Sequence, residues 1–182
     1  MATHVVIGDP HCTPKASNER FLWAGRLAAD VRATHIICMG DFCSMDSLSS
    51  YDKKKKSFEG RRYQKDMQHS HEALSLFNKG LGKHKARKIM LHGNHEDRID
   101  RFVDENPELD GTLKISDLNF KQYGWQEVPY KQNKVLNGVY YAHHFPSGIL
   151  GSAISGENIA RTLLTKHKVS ATVGHSHLLD YA

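Results

Sequence analysis

Five short apolar segments, each followed within three residues by aspartate, asparagine or histidine, constrain the fold of this chain most strongly. They are T-H-V-V-I-G, H-I-I-C-M, I-M-L, V-Y-Y-A and S-A-T-V, at positions 3–8, 35–39, 89–91, 139–142 and 170–173. Apolar runs of this length that end near glycine or proline are typical of buried strands. The polar residues behind them are too concentrated to belong to a core. Each predicted strand therefore delivers reactive side chains to the loop that follows it.

Two helical patterns separate the first three predicted strands. Apolar residues recur at three- and four-residue spacing over 17–33, where Ser17 is the predicted N-cap, and again over 60–81. Strand, helix and strand within about 40 residues form the right-handed crossover unit that builds a parallel sheet. The sequence therefore predicts an α/β fold.

The second half of the chain has a weaker pattern. Residues 100–132 predict a short helix followed by irregular chain or short strands. Asn137 and Gly138 are the turn pair of a predicted β-hairpin. A further helix is predicted over 155–167, with Ser155 as its N-cap.

Composition narrows the functional classes. The 182 residues predict one domain, spanning 1–182. No apolar run approaches the roughly 18 residues of a membrane span and no signal-peptide pattern is present, which predicts a cytoplasmic protein without a membrane partner. The three cysteines are scattered and cannot all pair, as is typical of a reducing compartment. A net charge of +5 and a pI near 9.1 permit an anionic partner but do not require nucleic acid.

The polar residues at the five strand ends share metal-binding chemistry. Ligands of such sheets bind beyond the carboxyl ends of the strands, so these side chains should converge. Carboxylate, imidazole and amide groups together suit Mn, Fe or Zn, because Ca and Mg prefer sites built from oxygen atoms. About seven ligands indicate two metal ions. The candidate ligands are Asp9, His11, Asp41, Asn94, His143, His175 and His177.

Other polar or reactive residues have ordinary interpretations. The four lysines at 53–56 are interpreted as solvated surface, with a phosphate-binding patch as the alternative. His92 is expected to be a packing residue, and Cys12 and Cys43 small packing residues beside the predicted site. Glu96 is interpreted as a helix-start residue near the helix dipole.

At these strand ends the sequence resembles the calcineurin-like metallophosphoesterases. The resemblance covers essentially the full chain and rests on D-P-H (9–11), G-D (40–41), G-N-H-E (93–96), His143 and G-H-S-H (174–177). The longer string G-N-H-E-D-R is similar to phage and bacterial members of the family, and a phage-encoded protein would act in the host cytoplasm. The resemblance implies a metallophosphoesterase-type β-sandwich with flanking helices and a dinuclear metal site at the strand ends.

The resemblance also implies a role for each candidate residue. It implies that Asp9, His11 and His177 hold one metal ion, that Asn94, His143 and His175 hold the other, and that Asp41 bridges both. His95 would lie near the leaving-group oxygen, as an acid or as a stabiliser of the transition state. His144 stays an alternative to His143, because the sequence does not define where the strand ends.

The sequence departs from the family pattern in two places. Members often read G-D-x-x-D, and the second aspartate commonly orients the catalytic histidine, but this chain has Ser44 there. Either Asp46 substitutes as a catalytic residue, or His95 has a weaker partner and a lower imidazolium pKa. The sequence also ends five residues after His177, where members continue into further strands. The resemblance therefore implies that the last strands are missing or are supplied by another subunit of a homo-oligomer.

The resemblance predicts a phosphoester hydrolase with two divalent metal ions, in which metal-activated water attacks phosphorus. Mn²⁺ is the first expectation for the ions, with Fe, Zn or Ni as alternatives. The expected substrate is a phosphodiester of a nucleotide or nucleic acid, and phosphomonoesters or phosphoproteins are the alternatives. A different class is a catalytically impaired module that binds metal or nucleic acid, which Ser44 and the early end of the sequence favour.

Overall fold

The computed structural model describes residues 2–147, 149 and 151–182, which form a mixed α/β fold. The strands are β1 (His4–Ile7), β2 (His35–Cys38), β3 (Arg87–Leu91), β4 (Trp125–Val128), β5 (Asn133–Leu136), β6 (Val139–Ala142), β7 (Pro146–Ser147), β8 (Ser152–Ala153) and β9 (Ala171–Val173). The helices are α1 (Glu19–Asp30), α2 (Tyr63–Leu81), α3 (Arg98–Glu105) and α4 (Ile159–His167). The predicted α/β class is confirmed. Among the described residues, none of the helices has both the length and the apolar composition that crossing a bilayer requires.

A parallel sheet forms the centre of the fold, with the strand order β1-β2-β3-β4. Helices α1 and α2 connect its first three strands, as the crossover pattern predicts. Strand β4 lies where the sequence predicts only irregular chain or short strands, because just Trp125 and Val128 of its four residues are buried. Pairing with β3 stabilises this strand where its own apolar pattern is too weak to define it.

A second sheet has the order β5-β6-β9. Strands β5 and β6 form the predicted hairpin, and Asn137 and Gly138 in its turn have φ values of 49° and 82°, as a type I′ turn requires. Strand β9 runs parallel to β6, so the carboxyl ends of these two strands point the same way. The loops that carry His143 and residues 174–177 therefore leave the sheet at one edge.

The two sheets share a core because side chains alternate across the central strands. Ile37 of β2 belongs to the same buried cluster as Tyr141 of the second sheet. Its neighbour Ile36 belongs to the cluster that includes Phe77 of α2, on the other face of β2. Leu163 of α4 packs with residues of β6 and β9. Strand β2 is thus covered on both faces, which explains its continuous apolar sequence.

The predicted start of α4 differs from the structure. The sequence predicts Ser155 as the N-cap, but the helix begins four residues later, with Asn158 at its N-cap position. Gly156 has a φ of 112°, which no α-helix accommodates. At the start of α1 the difference is smaller, because the N-cap position is Asn18 and the predicted cap, Ser17, lies one residue before it.

Candidate metal centre

The candidate ligands meet at one edge of the molecule, as their positions at strand ends predict. The residues brought together are Asp9, His11 and Asp41 after β1 and β2, Asn94 after β3, and His143, His175 and His177 after β6 and β9. His11 and His177 contact each other although 166 positions separate them in the sequence. Both sheets therefore contribute to the site.

One group of metal-binding atoms consists of His11, Asp41 and His177, whose ligand atoms all lie within 4.8 Å of one another. His11 Nε2 is 3.1 Å from His177 Nε2 and 3.8 Å from Asp41 Oδ2. Asp9 borders this group, because its Oδ2 is 3.5 Å from His177 Nε2. Two imidazoles and carboxylate oxygens around one point can hold a divalent ion.

A second group consists of Asp41, His143 and His175. His143 Nε2 is 3.5 Å from Asp41 Oδ2 and 3.2 Å from His175 Nδ1. Asn94 joins this group, since its Oδ1 is 2.9 Å from His143 Nε2 and 2.9 Å from His175 Nδ1. The buried carboxylate of Asp41 thus belongs to both groups and lies where one ligand can serve two ions.

The proton arrangement around His143 favours a cation. Its Nδ1 is 2.8 Å from the carbonyl oxygen of Met39, an acceptor, so the neutral ring carries its proton on Nδ1. The lone pair of Nε2 then faces Asn94 Oδ1 and Asp41 Oδ2, which are also acceptors. Asp9 Oδ1 is buried and has no hydrogen-bond partner among the described residues. The acceptor atoms of His143, Asn94 and Asp41 thus face one another. A divalent cation would accept their lone pairs, so the residues present fit a metal ion.

The electrostatics of two further histidines agree with this fit. Burial is the main cause that lowers the pKa of His11 and also the pKa of His175. Both imidazoles are therefore neutral near pH 7, which is the form that binds metal.

Four candidate ligands have a left-handed backbone. The φ values are 45° for His11, 46° for Asp41, 69° for His175 and 55° for His177. Non-glycine residues rarely adopt this conformation, and such strain persists only where the surrounding structure enforces it. Four such residues at one edge of the molecule agree with a candidate functional site there.

Glu96 holds the loops after β2 and β3 together. It is fully buried, and its carboxylate accepts hydrogen bonds from the backbone nitrogens of Gly93 at 2.7 Å, Asp41 at 3.0 Å and Cys43 at 3.1 Å. Burial, and then the charge of Asp41, raise the pKa of Glu96 to about 7. The interpretation of Glu96 as a helix-start residue is wrong, because α3 begins two residues later and the side chain points into the protein.

His95 lies beside the bridging carboxylate, with its Nε2 3.8 Å from Asp41 Oδ2. His95 Nδ1 donates a hydrogen bond to the carbonyl oxygen of Ser44 at 2.7 Å, and Arg98 Nη1 donates to the same oxygen at 2.8 Å. Arg98 Nη2 is 3.1 Å from His95 Nε2, which is therefore the acceptor. Burial, which outweighs the opposing charge of Asp41, lowers the pKa of His95 to about 4. The imidazole is neutral at pH 7, and the adjacent positive charge belongs to Arg98.

The structure does not bring Asp46 to the position predicted for it. Its carboxylate lies 3.5 Å from Thr13 Oγ1 and 3.8 Å from Lys15 Nζ, and it makes no contact with His95 within the described part of the chain. The backbone of Met45 is left-handed, with a φ of 46°, and the chain turns there. The partner of His95 is instead a neutral carbonyl group, the weaker of the two alternatives that the sequence left open.

His143, rather than His144, reaches the candidate ligands. His144 Nδ1 is buried and has no hydrogen-bond partner among the described residues. Burial lowers the pKa of His144 to about 4, with His143 and His175 adding to the effect. His92 is a buried packing residue, as predicted, and its Nε2 lies 2.9 Å from Glu127 Oε2.

Sequence reasoning missed Arg98 and the bracing role of Glu96. Both residues belong to G-N-H-E-D-R, so their place in the motif could have indicated that they act near His95. Arg98 follows His95 by three residues, a spacing that brings side chains together on a helical turn. What the motif could not indicate is the pair of backbone groups, on Ser44 and Asp41, that these side chains bind.

Comparisons with known proteins identify no family. Neither the known protein families nor the curated proteins with which the chain was compared include a match to it.

Proposed function

We propose that this chain is a phosphoester hydrolase that depends on two divalent metal ions, as its resemblance to the calcineurin-like metallophosphoesterases implies. The observation that carries the proposal is the shared carboxylate of Asp41. Its Oδ2 is 3.8 Å from His11 Nε2 on one side and 3.5 Å from His143 Nε2 on the other. Two sheets with a common core and helices outside them support the corresponding sandwich architecture.

The residues of the chain divide into metal-binding and substrate-facing sets. Asp9, His11, His177 and Asp41 would hold one ion, and Asp41, Asn94, His143 and His175 the other. Two bound ions of this kind would supply Lewis-acid stabilisation of the phosphoryl oxygens and would activate a water molecule as the nucleophile.

His95 and Arg98 would act on the substrate beside the bridging carboxylate. His95 Nδ1 is held by the Ser44 carbonyl, which orients the ring. Because the pKa of His95 is lowered to about 4, the ring is neutral at pH 7 and the charged donor is Arg98. This pair would stabilise negative charge that develops on the phosphoryl group and the leaving oxygen.

The proposed substrate is a phosphodiester of a nucleotide or nucleic acid, and Mn²⁺ is the proposed metal. The net charge of +5 and the arginine beside His95 support an anionic substrate. Mn²⁺ suits a site of mixed imidazole and carboxylate ligands, which Fe, Zn or Ni could also occupy.

The test is metal-dependent hydrolysis. Protein stripped of metal and resupplied with Mn²⁺ is expected to hydrolyse bis-p-nitrophenyl phosphate or p-nitrophenyl phosphate, and the metal-free protein is not. His95→Ala is expected to lower kcat by about a hundredfold or more while metal remains bound. His69→Ala, on α2 and outside both groups of ligands, is the matched control. Full activity without metal would overturn the proposal.

One observation favours a second candidate, a module that binds metal or nucleic acid without turnover. The partner of His95 is the neutral carbonyl of Ser44, where members of the family that the chain resembles commonly have a carboxylate, so no negative charge at that position stabilises the charged imidazole. Stoichiometric Mn²⁺ binding and salt-sensitive DNA binding, together with no hydrolysis of any phosphoester tested, would support this candidate.

A further inference from the structure

We propose that a cleft next to Asn94 binds the nucleoside part of a nucleotide substrate, with the base stacked on Tyr51. The inference deepens the proposed function and depends on it for the position of the phosphate. The cleft has a volume of about 240 Å³ and is lined by Asn94 and Arg98, which lie at the candidate metal centre, and by the aromatic residues Tyr51 and Phe102. A substrate whose phosphate lies at the metal centre would therefore extend its organic part into this cleft.

Two aromatic rings supply stacking surfaces. Tyr51 is 83% exposed, although it follows the buried Ser49 by only two residues. Lys55 Nζ is 3.8 Å from the centroid of the Tyr51 ring. Lys53 Nζ is 5.3 Å from the centroid of Phe102. An exposed ring with a cation on one face leaves its other face for a planar ligand, and nucleobases stack on such rings.

Two arginine residues, Arg98 and Arg101, line the cleft beside the candidate metal centre. Arg98 contacts His95 Nε2, and Arg101 Nη2 donates a hydrogen bond to the carbonyl oxygen of Asn94 at 2.9 Å. Arg101 also pairs with Asp97 at 3.1 Å, and this contact orients its guanidinium group. Guanidinium groups and aromatic rings that line one cleft match the chemistry of the phosphate and the base of a nucleotide.

The size of the cleft favours one nucleoside over a larger partner. Its volume of about 240 Å³ is below the roughly 300–1,000 Å³ of sites for drug-sized ligands. Among the described residues, the one carboxylate that lines it belongs to Glu105, which pairs with Lys53 at 3.7 Å. One base with its sugar matches this space, and a phosphorylated serine or threonine would offer no planar group for Tyr51.

The binding test compares adenosine 5′-monophosphate with ribose 5-phosphate, which lacks only the base. Both are titrated into the full chain by calorimetry, without metal and again with Mn²⁺. Base stacking is expected to make the nucleotide bind at least about fivefold more tightly than ribose 5-phosphate. Tyr51→Ala is expected to abolish this difference and Tyr51→Phe to retain it. Tyr181→Ala, another exposed tyrosine that lies outside the cleft, is the control and should leave it unchanged.

Kinetics provide a second readout. With Mn²⁺, Tyr51→Ala should raise KM for the p-nitrophenyl ester of thymidine 5′-monophosphate more than KM for methyl p-nitrophenyl phosphate. Equal binding of the two ligands by the wild-type chain, or a preference for the base that survives in Tyr51→Ala, would overturn the subsite. If the base strengthens binding but no substrate is hydrolysed, the base-binding subsite is supported and the proposed phosphoesterase activity is contradicted.

Discussion

Glu96 Oε2 accepts a hydrogen bond of 3.0 Å from the backbone nitrogen of Asp41, the residue shared by both groups of candidate ligands. The same oxygen accepts from Gly93 at 2.7 Å, so one buried carboxylate joins the turn after β2 to the turn after β3. Asp41 has a left-handed backbone with a φ of 46°, which needs such external support. Glu96 therefore positions a candidate metal ligand without binding metal itself.

Replacement of Glu96 by glutamine should weaken this support. The amide offers one acceptor oxygen, and its NH₂ group would face backbone N–H donors that the carboxylate now satisfies. We expect the free energy of unfolding to fall by about 1–3 kcal/mol, measured by urea denaturation, and the affinity for Mn²⁺ to fall in calorimetry. Glu157→Gln, at an exposed position, is the control. Unchanged stability and Mn²⁺ affinity in Glu96→Gln would contradict the bracing role.

Gly93→Ala should destabilise the same junction for a steric reason. A Cβ atom at Gly93 would overlap the carboxylate oxygen and the backbone nitrogen of Asp41. We expect a loss of about 1–3 kcal/mol in the free energy of unfolding, as for other overpacked sites. Gly8→Ala serves as the matched control, since a Cβ there meets no atom within 4 Å. The interpretation fails if both variants unfold at the same urea concentration.

Metal stoichiometry should distinguish the shared ligand from a terminal one. His177 belongs to one group of ligands and Asp41 to both. We therefore expect His177→Ala to retain about one of two Mn²⁺ ions per chain, and Asp41→Asn to lose affinity at both sites. Equilibrium dialysis followed by elemental analysis measures the bound ions. The same stoichiometry in both variants would argue against a bridging role for Asp41.

Asp46→Asn should have little effect on catalysis. The Asp46 carboxylate faces Thr13 and Lys15, whereas the carbonyl of Ser44 holds His95. We expect kcat with Mn²⁺ to stay within about twofold of the wild type, because the long, partly exposed ion pair with Lys15 contributes little energy. A hundredfold loss of kcat would restore Asp46 as the partner of His95.

The stability of the metal-free protein should depend on pH through His144. Burial lowers the pKa of this residue from 6.5 to about 4, so the folded state binds the proton more weakly than the unfolded state. The contribution of His144 to the free energy of unfolding is therefore fully present above pH 6.5, and it is lost as the pH falls towards 4. We expect the urea midpoint of His144→Phe to fall less between pH 7 and pH 5 than that of the wild type, both measured with a chelator. The wild type and His144→Phe share all their other titrating groups. If their urea midpoints fall equally between pH 7 and pH 5, His144 does not cause the pH dependence.

The local patterns of the sequence were sufficient for most of the secondary structure. Residues 35–39 predict β2, and Asn137 with Gly138 predict the hairpin, because strand periodicity and turn conformation depend on neighbouring residues. Strand β4 was not defined in this way, since it depends on pairing with β3. The start of α4 was misplaced because a glycine one residue after the predicted cap adopts a positive φ.

For the candidate site, the sequence alone determined which side chains stand at strand ends, and parallel strands bring such ends together. Only the tertiary structure decided how they are supported. Ser44 and His95 are 51 positions apart, and Asp41 and Glu96 are 55 apart, so no local pattern relates them. The partner of His95 is also a backbone carbonyl, a group that every residue carries, and the identity of residue 44 therefore could not reveal it. Glu96 connects the two loops because its carboxylate is buried between them, and burial is a property of the packed fold.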